Sequence, residues 1–171
     1  MQKDWHRSTA LELGKGIADN SVHPVELVEY FLDRVRSHDE HNLIYVRTTA
    51  ERAYKEAQEA SARAKDGMLR SALDGVPISW KDLYDTAGIP TEGGTSLLSG
   101  RVPRKDALAL KRATNAGLVC LGKTNTVQFA LGGLGTNPYT GTPPNAVMRD
   151  VPRAPGGSSC GAAVSVAAGL A

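Results

Sequence analysis

This sequence of 171 residues contains few cysteines and few aromatic residues, and neither positive nor negative charge is in clear excess. Its two cysteines, Cys120 and Cys160, are too few and too far apart to predict a disulfide framework or a zinc site. Lys and Arg number 20 against 18 Asp and Glu, so no basic surface for nucleic acid is expected. The sequence contains no hydrophobic run suited to a signal peptide or a transmembrane helix. We therefore expect a cytoplasmic protein without membrane or nucleic-acid partners.

The composition, 41% hydrophobic and 22% charged, is that of a globular protein. Residues 1–70 are predicted to form a helical segment without evident chemistry. Pro24 suits the first residue of one helix, and Thr48 with Glu51 forms the pattern of a capping box before an alanine-rich helix that ends at Gly67. The first helix carries an apolar stripe at helical spacing, formed by Leu27, Val28, Phe31, Leu32 and Val35.

Residues 71–171 have a different pattern, which predicts strands as well as helices. Apolar and polar residues alternate from Val76 to Trp80, as in a short strand. Asp106 is expected to cap a helix that ends at Gly117, and the apolar residues 118–121 then predict a buried strand. This order of elements indicates an α/β fold whose sheet contains parallel pairing.

Two familiar motifs occur in the wrong context. Gly117–Thr124 matches the P-loop pattern, but a helix is predicted before its first glycine and apolar residues fill the loop. Gly157–Gly161 matches a nucleophile elbow centred on Ser159, but all four histidines precede it, and a triad histidine should follow. Neither nucleotide binding nor a Ser-His-Asp hydrolase is therefore favoured.

Two further features allow more than one interpretation. Lys81 at the end of the predicted strand is either an ordinary exposed lysine or, if desolvated, a neutral general base for a serine hydroxyl. The serines after Gly156 and Gly157 either begin a helix, with Ser159 as its N-cap, or belong to a reactive site. Spacing alone leaves both interpretations open.

Three motifs in the same order and spacing resemble the amidase signature family: Gly75–Leu83, Gly122–Asn125 and Pro155–Ala163. The resemblance is clear from about Leu73 to the last residue. It implies an α/β fold with a mixed sheet flanked by helices. The implied activity is hydrolysis of a linear carbon–nitrogen bond in a small-molecule amide by a Ser–Ser–Lys triad, with no cofactor.

By position, Lys81 resembles the family's general base, and Ser158 resembles the bridging serine that the family holds on a cis peptide. The resemblance also implies substrate contact for Gly132, Gly133 and Leu134, and supporting roles for Asn125, Gly156, Gly157 and Ser159. Thr126 and Gln128 stand where the family more often has methionine and an acidic residue, which weakens assignment to the transamidase subfamily.

The family's nucleophilic serine lies in a later Gly/Ser-rich motif, whereas this sequence ends thirteen residues after Ser158. Its last residues, 164–171, are small and apolar, so we expect an N-terminal portion of an amidase, with an incomplete fold and no activity by itself. The alternatives are a nucleotide-binding module, a non-catalytic module with the same fold and an amidotransferase A-type subunit. The substrate remains open, as does association as a homodimer or with a missing C-terminal portion.

Overall fold

The computed structural model describes residues 4–39, 41–148 and 150–171. Within these ranges the chain forms five α-helices, three strands and three short 3-10 helices. The helices are α1 (Ala10–Ala18), α2 (Pro24–His38), α3 (Ala50–Lys65), α4 (Leu108–Asn115) and α5 (Cys160–Ala167). The strands are β1 (Tyr45–Thr48), β2 (Pro77–Lys81) and β3 (Val119–Thr124).

The three strands form one mixed sheet in the order β1-β3-β2. Strand β1 runs antiparallel to β3, and β2 runs parallel to β3 with Lys81 aligned on Thr124. All six residues of β3 are buried. The prediction of an α/β fold with a mixed, partly parallel sheet flanked by helices is therefore confirmed.

Helices α2 and α3 supply much of the core beside this sheet. Pro24 begins α2, as predicted, and the apolar stripe of this helix is buried. On α3 Tyr54 packs against the core while partly buried, and the buried residues are all alanines, which let the helix approach both α2 and β3 closely. They are Ala53, Ala57, Ala60 and Ala64.

Residues 1–70 are not wholly helical, because β1 lies among them and pairs with β3. Thr48 ends this strand, so the predicted capping box with Glu51 is wrong. Helix α3 instead follows Thr49, whose hydroxyl donates to the Cys120 carbonyl oxygen at 2.6 Å. The sheet therefore contains strands from both residues 1–70 and residues 71–171, which the sequence pattern had separated. Residues 1–3 and 40 of the predicted N-terminal segment lie outside the described ranges.

The cap predicted for α4 is wrong as well, whereas the predicted end of that helix is confirmed. Ala107 precedes α4, and the Asp106 carboxylate accepts two hydrogen bonds from Arg52, each 2.9 Å long. Gly117 follows the helix with φ +94°, and a β-carbon there would lie 2.2 Å from Asp74 Oδ1. The P-loop pattern thus spans a helix end and a strand, the reverse of a phosphate-binding loop.

Candidate active site

Lys81 and Ser158 meet although 77 positions separate them along the chain. Lys81 is the last residue of β2, and Ser158 lies just before α5, which packs against β2 and β3. The Lys81 Nζ and Ser158 Oγ atoms are 2.7 Å apart, a hydrogen-bond distance. Both residues are half-buried, so the pair remains in partial contact with solvent.

The surroundings of Lys81 disfavour its charged form. Burial lowers the pKa of the Lys81 amine, and the negative charge that Cys160 carries as a thiolate opposes that shift. The carboxylate of the next residue, Asp82, lies 3.2 Å from the buried Lys123 ammonium and pairs with it rather than with Lys81. A lowered pKa increases the neutral fraction of an amine, which is the form that acts as a general base.

The backbone around Ser158 is held by the segment that follows β3. The Gly157–Ser158 peptide is cis, the conformation that the resemblance implies for the bridging serine. The Ser158 carbonyl oxygen accepts hydrogen bonds from Val127 N and from the Thr126 hydroxyl, both at 3.1 Å. The sequence alone gave Thr126 no role in the site, because a single threonine next to Asn125 carries no pattern that would point to Ser158.

The glycine-rich loop at 132–135 lies against the chain just before Ser158. Gly157 N donates to the Gly133 carbonyl oxygen at 2.8 Å, and Gly156 N donates to the Leu134 carbonyl oxygen at 3.1 Å. A β-carbon on Gly135 would lie 2.2 Å from the Gly156 carbonyl oxygen, so this approach requires glycine. Gly132, Gly133 and Leu134 are thus brought next to the site, and the Leu134 side chain is 69% exposed.

Asn125 is fully buried and connects several parts of the fold. Its amide nitrogen donates to the carbonyl oxygens of Leu43, at 2.9 Å, and Gly141, at 3.0 Å. Its amide oxygen accepts from Thr126 N at 2.8 Å and from the Thr140 hydroxyl at 2.7 Å. These contacts use the hydrogen-bonding capacity of the side chain within the protein, and they join the segment after β3 to the loops at Leu43 and at 140–141.

Ser159 occupies the N-cap position of α5, but its side chain makes no capping hydrogen bond. Cys160 and Cys120 are buried free thiols. Among the described residues, no group of three or more His, Cys, Asp or Glu side chains is placed to hold a metal ion. Nor does any helix in this part of the chain have the length and hydrophobicity needed to cross a membrane.

Comparison with known proteins identifies the family of the chain. The family model described as Amidase matches residues 26–171. The A subunit of the glutamyl-tRNA(Gln) amidotransferase of Anaeromyxobacter dehalogenans (strain 2CP-C) is 42% identical over 98% of this chain and 34% of its own length. The subunit of the same name from Coxiella burnetii (strain Dugway 5J108-111) is 36% identical over 96% of the chain.

Solved structures of amidases also match this chain. The peptide amidase of Stenotrophomonas maltophilia superposes with a TM-score of 0.88 at 30% identity, over 98% of this chain and 35% of that enzyme. The chain thus spans about a third of the length of the relatives that it matches. The match over residues 26–171, together with the shared fold, shows that the chain belongs to the amidase signature family.

Proposed function

We propose that this chain supplies the general base and the proton relay of a site that hydrolyses amide bonds in small molecules. Lys81 is the base and Ser158 is the relay. The observation that carries the proposal is the 2.7 Å contact between Lys81 Nζ and Ser158 Oγ. The lowered pKa of Lys81 supports it, because a neutral amine can accept the proton of a serine hydroxyl.

The proton moves in two steps. Ser158 gives its hydroxyl proton to the neutral Lys81 amine and takes one from a nucleophilic serine. That serine belongs to the later family motif, which is not among these 171 residues. The serine oxygen then attacks the amide carbonyl carbon, and the carbon–nitrogen bond breaks. The departing amine takes a proton back through Ser158, and water releases the acyl group.

The loop at Gly132, Gly133 and Leu134 is proposed to contact the substrate beside this relay. Its carbonyl groups at 133 and 134 already bind the chain that precedes Ser158, so the loop is fixed relative to the proton path. The exposed Leu134 side chain offers an apolar contact, which suits the non-reacting part of an organic amide.

A chimaera tests the proposal. The chain is joined to the remaining two-thirds of the Stenotrophomonas maltophilia peptide amidase, and hydrolysis of a simple amide is measured. Lys81→Met and Ser158→Ala should each lower kcat by about 10²–10⁴-fold, the usual contribution of a general acid or base. Lys111→Met, which removes an exposed lysine, is the control and should leave kcat unchanged. Full activity of the Lys81→Met chimaera would refute the proposal.

By itself the chain should not turn over amides, because the members of such a catalytic unit act together and the loss of one removes most of the effect. The assay compares the purified chain with its Lys81→Ala variant. Hydrolysis that depends on Lys81 would contradict this expectation.

A second candidate is an amidotransferase A-type subunit, which passes ammonia to an acyl-tRNA. The observation that favours it is the 42% identity with the Anaeromyxobacter dehalogenans protein. Co-purification with the other subunits of such a complex, and ammonia release only in their presence, would support it over a free-standing amidase.

A further inference from the structure

Thr126 lies between β3 and the 3-10 helix at 128–130, and its side chain has no exposed surface. Its single hydroxyl proton is shared between two acceptors, the Ser158 carbonyl oxygen at 3.1 Å and the Val127 carbonyl oxygen at 3.0 Å. Val127 N donates to the same Ser158 oxygen at 3.1 Å. Two consecutive residues after β3 therefore hold the backbone of Ser158.

The same short segment also holds the strand that carries Lys81. Thr124 is the register partner of Lys81, and its carbonyl oxygen accepts a hydrogen bond from Asp82 N at 2.9 Å. The contact with the strand of Lys81, at Thr124, and the contacts with Ser158, at Thr126 and Val127, are thus only two or three residues apart in the sequence. Residues 124–127 therefore contact both the strand of Lys81 and the backbone of Ser158.

The backbone of Thr126 is in turn held by residues other than Ser158. Its carbonyl oxygen accepts a hydrogen bond from Asn137 Nδ2 at 2.7 Å, and a β-carbon on Gly94 would lie 2.6 Å from that oxygen. Ser158, by contrast, ends an irregular stretch, since residues 150–159 contain no helix or strand. Its position consequently depends on hydrogen bonds from outside its own segment.

We propose that Thr126 is a positioning residue for the proton relay: its hydroxyl holds the Ser158 backbone so that Ser158 Oγ meets the Lys81 amine. The inference rests on the proposed function, because it matters for chemistry only if Lys81 and Ser158 move protons.

Two substitutions of Thr126 distinguish the effect of its hydroxyl from the effect of its side-chain volume. Thr126→Val keeps the shape and removes the hydroxyl, whereas Thr126→Ser keeps the hydroxyl and removes a methyl group. Thr49→Val is the matched control, because Thr49 is also buried and its hydroxyl donates to a backbone carbonyl. Its backbone and side chain bind Cys120 and Leu121, in the first half of β3, rather than Ser158.

The titration of Lys81 is followed in the full chain by NMR of carbon-13-labelled lysine, with Lys81→Arg used to assign its signal. Thermal unfolding of every variant is recorded in parallel. Thr126→Val should move the pKa of Lys81 upward, toward the ordinary lysine value, because displacement of Ser158 exposes the amine to water. Thr126→Ser and Thr49→Val should leave the pKa at its native value, even where they lower the melting temperature.

An unchanged Lys81 pKa in Thr126→Val would overturn the inference, as would equal shifts in the Val and Ser variants. If Thr126→Val does not fold, Thr126→Ala, which also lacks the hydroxyl without adding bulk, replaces it with the same expected shift. An ordinary pKa for Lys81 in the native chain would instead count against the proposed function itself. The two failures are therefore distinguishable.

Discussion

The Lys123 ammonium lies 3.2 Å from the Asp82 carboxylate, and neither side chain is exposed to solvent beyond 2%. Lys123 Nζ also donates to the Tyr84 carbonyl oxygen at 2.9 Å and to the Thr91 hydroxyl at 2.8 Å. Burial lowers the pKa of Lys123, and the Asp82 charge opposes that shift. Because Tyr84 N in turn donates to the Lys81 carbonyl oxygen, this ion pair fixes the turn that follows the proposed base.

Removal of one partner of this pair should be costly. Lys123→Met leaves the Asp82 carboxylate buried without its cation, and the free energy of unfolding should fall by about 3–5 kcal/mol. Urea denaturation measures the loss, with the exposed Lys111→Met as a control within about 0.5 kcal/mol of the native value. The double variant Lys123→Met, Asp82→Asn should be less destabilised than Lys123→Met alone. Equal stability of Lys123→Met and the control would contradict this account.

A methyl group at Gly161 should disturb the contact between α5 and the sheet. A β-carbon there would lie 2.4 Å from both Asn125 N and the Ile44 carbonyl oxygen, which are backbone atoms that cannot turn away. We expect Gly161→Ala to cost about 1–3 kcal/mol despite the better helix propensity of alanine, since overpacking outweighs it. Gly133→Ala, where a β-carbon meets nothing within 4 Å, is the control. Chemical denaturation should rank the two variants clearly, and a more stable Gly161→Ala protein would refute the close packing.

The lowered pKa of Lys81 gives stability a defined dependence on pH. Between the folded-state pKa and the higher ordinary lysine value, the unfolded chain binds more protons at this site than the folded chain. The contribution of Lys81 to the free energy of unfolding therefore rises with pH across that window. Urea denaturation at a series of alkaline pH values should show this rise in the native chain relative to Lys81→Met. A constant difference between the two proteins across the window would show that burial does not shift this lysine.

The spacing of apolar residues correctly predicted those helices and strands that are specified by a short stretch of sequence. The apolar stripe after Pro24 gives α2, the alternation at 76–80 gives β2, and the apolar run at 118–121 gives β3. Strand β1 was missed because it is only four residues long and lies between two strong helical patterns. Its β-branched run around Tyr45 was the available signal, but pairing with β3, more than seventy positions later, is what makes it a strand.

The two wrong caps, Asp106 and Thr48, are both residues with tertiary contacts. The Asp106 carboxylate accepts hydrogen bonds from Arg52, and Thr48 is the last residue of β1, where it pairs with Gly122 of β3. A capping pattern records only local competition, so tertiary contacts of this kind cannot be read from it. The meeting of Lys81 and Ser158 had the same limitation: spacing left it open, and only the resemblance to a family placed the two together.

Asn125 offers a test of whether the loops around the site depend on one buried amide. Asn125→Asp keeps the shape but replaces the donor that serves Leu43 and Gly141 with an acceptor, which leaves two carbonyl oxygens facing a buried carboxylate. Each unsatisfied group costs about 1–3 kcal/mol, so a large loss of stability is expected.

The loss should also depend on pH. Because burial raises the pKa of a carboxyl group, the loss of Asn125→Asp relative to the native chain should be greatest at neutral pH and smaller in acid, where the carboxyl is protonated. Asn145→Asp is the control: the half-buried Asn145 accepts two backbone hydrogen bonds through its oxygen, which an aspartate can retain, and the one bond it donates goes to an exposed carbonyl oxygen of Ala154 that water can serve instead. Urea midpoints at neutral and acidic pH measure both variants, and an Asn125→Asp protein as stable as the control would mean that other contacts hold these loops.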